Sequence, residues 1–230
     1  MFTGIVQTMA KAVQVESKPG LVHLSIALPK KMTKGLKTGA SVAIDGVCLT
    51  VVSIDTGITS HPLGRRPTYG RAEDTRGSIS TVSFDLMDET LRLTTLVNIA
   101  KDQMVNVERS LRIGDELGGH LVSGHVHGTA KILDITRSEN NCTITLEPPA
   151  ELAKYIFPKG SITLNGVSLT VVDGSPSFQK GARGSRFSVS LIPETLARTT
   201  FGAAQISDLV NLEVDQQTRT IVDTITRIRS

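Results

Sequence analysis

Three histidines fall within eight residues in the run Gly119-His120-Leu121-Val122-Ser123-Gly124-His125-Val126-His127-Gly128. Imidazoles can ligate a metal or carry a proton near neutral pH. On a strand, His125 and His127 would share one face and His120 the other. No Cys, Asp or Glu of ligand spacing joins them, so the spacing argues against a metal site. Cys48 sits in an apolar run, where a thiol is either a packing group or a nucleophile. Hydroxyls recur around it: Ser41, Thr50 and Thr90, then Ser161, Thr170 and Thr195 further on. Hydroxyls backed by peptide N–H and C=O groups suit a neutral polyol or heterocycle better than a phosphate. No glycine-rich phosphate loop, GxSxG elbow or HExxH helix appears.

The elements that position these residues come in two copies. Ser41-Val42-Ala43-Ile44-Asp45-Gly46-Val47-Cys48-Leu49-Thr50-Val51-Val52 returns as Ser161-Ile162-Thr163-Leu164-Asn165-Gly166-Val167-Ser168-Leu169-Thr170-Val171-Val172, with seven of twelve positions identical. At the same offset of 120, Thr3-Gly4-Ile5-Val6 aligns with Ser123-Gly124-His125-Val126. Beyond the first hairpin the offset becomes 105, pairing Glu89-Thr90-Leu91 with Glu194-Thr195-Leu196 and Val105-Asn106 with Val210-Asn211. The difference of 15 marks an insertion in the first copy, read as an exposed loop over Thr56 to Ser80. A unit this long is a domain rather than a solenoid repeat. The boundaries expected are 1–108, 109–213 and a C-terminal helix over 214–230. Chemical differences between the copies then point to function: Cys48 stands against Ser168, and His125 against Ile5.

Each copy reads as short strands. Leu21 to Leu28 alternates as a half-buried strand does, and Asp45-Gly46 and Asn165-Gly166 are tight hairpin turns. Strands punctuated in this way predict an all-β chain of two small antiparallel barrels in tandem. Brief helical patterns fall around Pro29–Lys34, Glu89–Thr94 and Ala150–Ile156. Ile221, Val222, Ile225 and Ile228 form an apolar stripe at helical spacing, with Asp215 near its start. That helix would either pack on its own barrel or join subunits.

Bulk properties exclude other classes. The 230 residues carry a net charge of only +3 and 3% aromatics, which leaves few stacking platforms and argues against nucleic acid. No apolar run approaches the length of a membrane span, and no signal-peptide pattern opens the chain. Cys48 and Cys142 fall at unrelated points of the repeat, as free thiols in a reducing cytoplasm would.

Five motifs taken in order resemble one family. They are Met1-Phe2-Thr3-Gly4-Ile5-Val6, Gly46-Val47-Cys48-Leu49-Thr50-Val51, Glu89-Thr90-Leu91, Gly118-Gly119-His120-Leu121-Val122-Ser123-Gly124-His125-Val126, and Leu191-Ile192-Pro193-Glu194-Thr195-Leu196. Together they are similar to the riboflavin synthases of the α-chain type, over nearly the whole chain except the insertion. The resemblance implies two Greek-key β-barrels, a C-terminal helix and a homotrimer whose active site lies between the first barrel of one subunit and the second barrel of its neighbour. It implies a dismutation of two 6,7-dimethyl-8-ribityllumazine molecules into riboflavin and 5-amino-6-ribitylaminouracil, with no metal or other cofactor. It places Ser41, Cys48, His125 and Phe2 near the reacting rings, with His125 suited to proton transfer, and Asp215 at an acidic position tied to activity. It lines a first pocket with Gly4, Ile5, Val6, Cys48, Leu49, Thr50 and Asp85-Leu86-Met87-Asp88-Glu89-Thr90. A second pocket takes Gly124, His125, Val126, Lys159, Ser168, Leu169, Thr170 and Ser190-Leu191-Ile192-Pro193-Glu194-Thr195. Val47 departs from members that carry a second Cys there. A non-catalytic lumazine- or flavin-binding protein of the bioluminescence type shares this fold and is the alternative. Association with lumazine synthase, the enzyme that makes the substrate, is left open.

Overall fold

A computed structural model describes residues 1–56, 79–174 and 184–229. The expected loop therefore lies, for 57–78, outside the described residues, while Ile79 and Ser80 already belong to a strand.

The first barrel comprises β1 (Thr8–Lys18), β2 (Leu21–Pro29), β3 (Ser41–Ile44), β4 (Val47–Asp55), β5 (Ile79–Met87) and β6 (Met104–Arg109), closed in the order β1-β2-β5-β4-β3-β6. The second comprises β7 (Gly128–Arg137), β8 (Cys142–Glu147), β9 (Ser161–Leu164), β10 (Val167–Gly174), β11 (Phe187–Leu191) and β12 (Leu209–Val214), closed in the same cyclic order. All pairings are antiparallel, and β5 and β11 each return beside an earlier strand, as a Greek key requires. Closure leaves no free sheet edge. Each barrel holds its own core, with Leu24, Ile26, Ile44, Val51, Phe84 and Val107 in the first and Ile132, Ile144, Leu164, Val171, Val189 and Leu212 in the second. Short helices α1 (Lys30–Thr33), α2 (Asp88–Leu93) and α3 (Pro193–Arg198) fill the connections. The helical pattern around Ala150–Ile156 is realised as a 3-10 turn over Ala153–Tyr155.

The barrels meet on a pseudo-twofold hub made by the two hairpin turns. Asp45 and Asn165 both take left-handed φ, 44° and 45°, followed by Gly46 and Gly166 at 79°. The side-chain oxygen of Asp45 accepts the Asn106 N–H at 2.7 Å, and that of Asn165 accepts the Asn211 N–H at 2.7 Å. Each asparagine then crosses to the other barrel: Asn106 Nδ2 donates to the Asn165 carbonyl at 2.9 Å, and Asn211 Nδ2 to the Asp45 carbonyl at 2.8 Å. Thr95 and Thr200 complete the exchange by donating their N–H groups to Asn211 and Asn106.

One copy uses an acid where the other uses an amide. Burial raises the Asp45 carboxyl from its ordinary 3.8 to about 7, opposed by the Asn106 N–H. In the unfolded chain this group ionises near its ordinary value, but in the fold only near neutrality. Folding therefore loses stability as pH climbs from about 4 through 7. Asp45→Asn, which installs the second copy's residue, is expected to stabilise the protein by up to about 4 kcal/mol at pH 8 and by less than about 1 kcal/mol at pH 4. Urea unfolding of both proteins at the two pH values measures this; a gain independent of pH would refute it.

The terminal helix α4 (Gln216–Arg229) begins at Asp215, whose carboxylate accepts the N–H and hydroxyl of Thr218 at 2.8 and 2.7 Å. Asp215 is thus an N-cap. The apolar stripe divides. Val222 packs against the second core, and Asp223 accepts from Tyr155 Oη at 2.5 Å and Lys154 Nζ at 3.2 Å. Ile221, Ile225 and Ile228 face outward, 59%, 45% and 79% exposed.

Candidate active site

Strand alternation builds the first candidate face. Val42, Ile44, Val47, Leu49 and Val51 point into the first core, so Ser41, Ala43, Cys48 and Thr50 line the outside of the β3–β4 hairpin. Ser41 pairs with Thr50 and Ala43 with Cys48 across the ladder. Phe2 covers part of this face, fully buried against Ala43, Val122 and Cys48, and bridges Val122 by two backbone hydrogen bonds. The Cys48 N–H donates to the Gly124 carbonyl at 2.9 Å. This brings exposed His125 beside the half-buried Cys48, and seats Val126 against the first core.

The second face repeats the plan on β9–β10, with Ser161, Thr163, Ser168 and Thr170 outward. Here the Ser168 N–H donates to the Gly4 carbonyl at 2.8 Å, Ile5 is 48% exposed, and Val6 packs against the second core. Relative to the grouping implied by resemblance, the entry segments are exchanged: Gly4–Val6 lie on the second barrel and Gly124–Val126 on the first. The cause is the pseudo-twofold crossing, which lays each barrel's leading segment over its neighbour.

The faces differ chemically. Ser168 Oγ is 2.7 Å from His120 Nδ1, whose Nε2 lies 3.1 Å from Thr163 Oγ1. Burial lowers the His120 pKa, with the nearby Asp215 charge opposing. The second face thus carries a hydroxyl already engaged by a histidine, next to an isoleucine. The first carries a free thiol next to an exposed imidazole.

Buried glutamates hold both entry segments. Glu108 accepts the Thr3 N–H and hydroxyl, each at 2.7 Å, and the Gly4 N–H at 3.0 Å. Glu213 accepts the Ser123 N–H at 2.8 Å, its hydroxyl at 2.7 Å and the Gly124 N–H at 2.9 Å. Burial raises both carboxyl pKa values, and these hydrogen bonds oppose it. Glu213 therefore fixes the peptide carrying His125. Sequence reading missed this pair, although Val105-Asn106 and Val210-Asn211 led directly to it at the same offset.

The remaining predicted residues distribute around the faces. Thr50 and Asp85 flank the Val51–Phe84 pair on adjacent strands, and Asp85 binds His23 Nδ1 at 2.7 Å. Met87 is exposed beside Asp88, Glu89 and Thr90 of α2, where Glu89 pairs with Arg92. On the second barrel Ser190 faces outward 3.4 Å from Thr143 Oγ1, Ile192 is exposed, Pro193 opens α3, Glu194 pairs with Arg198, and Thr195 lies within the same helix. Leu49, Leu86, Leu169 and Leu191 point into the cores and can offer a ligand only their backbone. Lys159 holds a left-handed φ of 66° where the first copy has Gly39 at 83°, and both donate N–H to matching carbonyls at 2.8 Å. A lysine pays for this left-handed conformation where the first copy uses glycine, and its side chain is exposed. His127 is structural: its Nδ1 accepts the Val214 N–H at 3.2 Å, and burial lowers its pKa to about 4, helped by Arg219 and His125. No group of metal-ligating side chains is found among the described residues.

The Lumazine binding domain family matches residues 3–110 and 123–215. Riboflavin synthase of Escherichia coli (strain K12) is 43% identical over 229 residues, covering 99% of this chain and 93% of that protein. Riboflavin synthase of Chlamydia pneumoniae is 38% identical over 228 residues, covering 99% and 96%. Among solved structures, LumP complexed with riboflavin superposes with a TM-score of 0.73 at 22% identity, covering 94% of this chain and all of that one, a likeness of fold. Two matched lumazine-binding repeats, and full-length relatives at these identities, show that the chain belongs to the riboflavin synthase family.

Proposed function

We propose that the protein catalyses the dismutation of two 6,7-dimethyl-8-ribityllumazine molecules into riboflavin and 5-amino-6-ribitylaminouracil, without a cofactor. The observation that carries this reading is the pair of pseudo-symmetric faces, each with an outward hairpin rich in hydroxyls and an entry segment pinned by a buried glutamate. Two copies of one substrate need two similar beds, and holding them in register supplies a large part of the rate. The reaction begins with loss of a proton from the 7-methyl group of one lumazine. His125, the exposed imidazole of the first face, is the base that takes it in this reading. A nucleophile adds at C7 of the other lumazine, with Cys48 or Ser41 as its source or hydrogen-bond partner. Asp215 acts through α4 and its charge on His120, as a positioning residue, and Phe2 supports Cys48 from beneath.

The exposed Ile221, Ile225 and Ile228 stripe supports a homotrimer joined through α4, which would set the first face of one subunit against the second face of its neighbour. Truncation before Ile221 is expected to reduce the mass in light scattering below that of the full chain; an unchanged mass would remove α4 from the interface. A reducing cytoplasm suits the two free thiols, and among the described residues no helix is long and apolar enough to cross a membrane. The test of function is to incubate the purified protein with the lumazine alone and follow riboflavin absorbance. One riboflavin per two lumazines consumed is expected; tight binding without turnover would instead favour a carrier of the bioluminescence type.

A further inference from the structure

The end of the first barrel carries a cavity of about 690 Å³ that the mechanism does not use. Its wall includes Lys31, Lys34, Arg109 and Arg112, with Asp115 as the one acid and Gln7 beside them. The Asp115 carboxylate is engaged by the Arg112 backbone N–H at 2.8 Å, not by a cation. Arg109 donates to the Lys34 carbonyl at 2.8 Å, which fixes its guanidinium in the wall. Burial and the neighbouring Arg112 charge both lower the Arg109 pKa, so positive charge here is close and uncompensated. None of the four cations forms an ion pair among the described residues.

The duplication provides an internal control. At the offset of 120, Lys34 corresponds to Lys154. Lys154 is answered by Asp223 of α4, and Val222 of the same helix closes that end of the second barrel. Among the described residues the first barrel has no such helix across this end, and Lys34 has no carboxylate partner.

We propose that this cavity binds a phosphate group, free or as the monoester of a small metabolite. Four cations against one carboxylate leave a net charge of +3. A helix bearing one Asp, the arrangement on the second barrel, would neutralise only a single unit, whereas a phosphomonoester brings about two negative charges and oxygens matched to the guanidinium fork. The volume also lies in the range of small-molecule sites.

The test is isothermal titration calorimetry of the full chain with inorganic phosphate, ribose 5-phosphate and, as a neutral control, ribose. Saturable binding of one phosphate-bearing probe per chain, and none of ribose, is expected. Tighter binding of ribose 5-phosphate would identify a metabolite ester, and equal affinities the free anion. Lys31→Gln combined with Arg112→Gln, both at exposed positions, should weaken binding at least about tenfold, by loss of charge-assisted hydrogen bonds. Lys34→Gln alone should give a smaller loss, with thermal melting showing all variants folded. Unchanged affinity in the double variant would overturn the proposal. So would the absence of saturable binding, or a change of oligomeric mass in that variant with phosphate inert, which would mark the cavity as a docking site for protein.

Discussion

Gly46→Ala is expected to destabilise the protein by about 3 kcal/mol, far more than an alanine at an open turn. Two penalties meet at this position. The first is a left-handed φ of 79°, which any L side chain resists. The second is space: a Cβ on Gly46 would lie 2.6 Å from the Gly166 nitrogen and 2.9 Å from its Cα. These are backbone atoms, so no side chain can turn aside, and the barrels would have to separate at their hub. Separation would also loosen the crossed Asn106 and Asn211 bonds. Gly20 isolates the first penalty, because its φ is 77° and nothing lies within 4 Å of its Cβ position. Gly20→Ala should cost about 1 kcal/mol. Urea unfolding of the two variants separates the contributions; equal losses would show that the glycine contact between hairpins does not hold the barrels together.

The architecture was legible because it rests on local signals. Alternating apolar residues and the Asp-Gly and Asn-Gly turns define the hairpins before any tertiary contact forms, and the internal repeat doubles every such signal. The placement of Gly4–Val6 and Gly124–Val126 was not legible. It depends on which barrel each entry segment lies over, and that is decided by contacts far apart in sequence, the Ser168 N–H to the Gly4 carbonyl and the Cys48 N–H to the Gly124 carbonyl. Nothing in the alternation of residues 3–6 distinguishes the near barrel from the far one. His120 illustrates the same limit: alternation sets it on the face opposite His125 and His127 but does not say what it meets there, and the fold turns it onto Ser168 and Thr163. His127 is drawn into main-chain support, as Gln7 is in the first copy, where its Oε1 accepts the Arg109 N–H at 2.9 Å. Single strands reveal which side chains face outward, while pairs of barrels decide what those side chains meet.

The chemical difference between the faces carries the second large prediction. Face one offers the free Cys48 thiol and the exposed His125 imidazole; face two offers Ile5 and a Ser168 hydroxyl held by His120. A general base removed from a proton-transfer step costs about a hundredfold or more in rate. His125→Ala should therefore lower kcat by at least about a hundredfold, with KM little changed, since its loss is felt mainly in the transition state. Cys48→Ala should also lower kcat. Ser168→Ala should act mainly on KM, because its hydroxyl shapes the second bed without moving a proton. The decisive measurement is cofactor-free conversion of 6,7-dimethyl-8-ribityllumazine to riboflavin by the parent protein and these three variants, each checked for native melting. The account predicts turnover by the parent, severe kcat losses for His125→Ala and Cys48→Ala, and a mild one for Ser168→Ala. Equal kcat losses in all three variants, or no riboflavin from the parent protein, would contradict it.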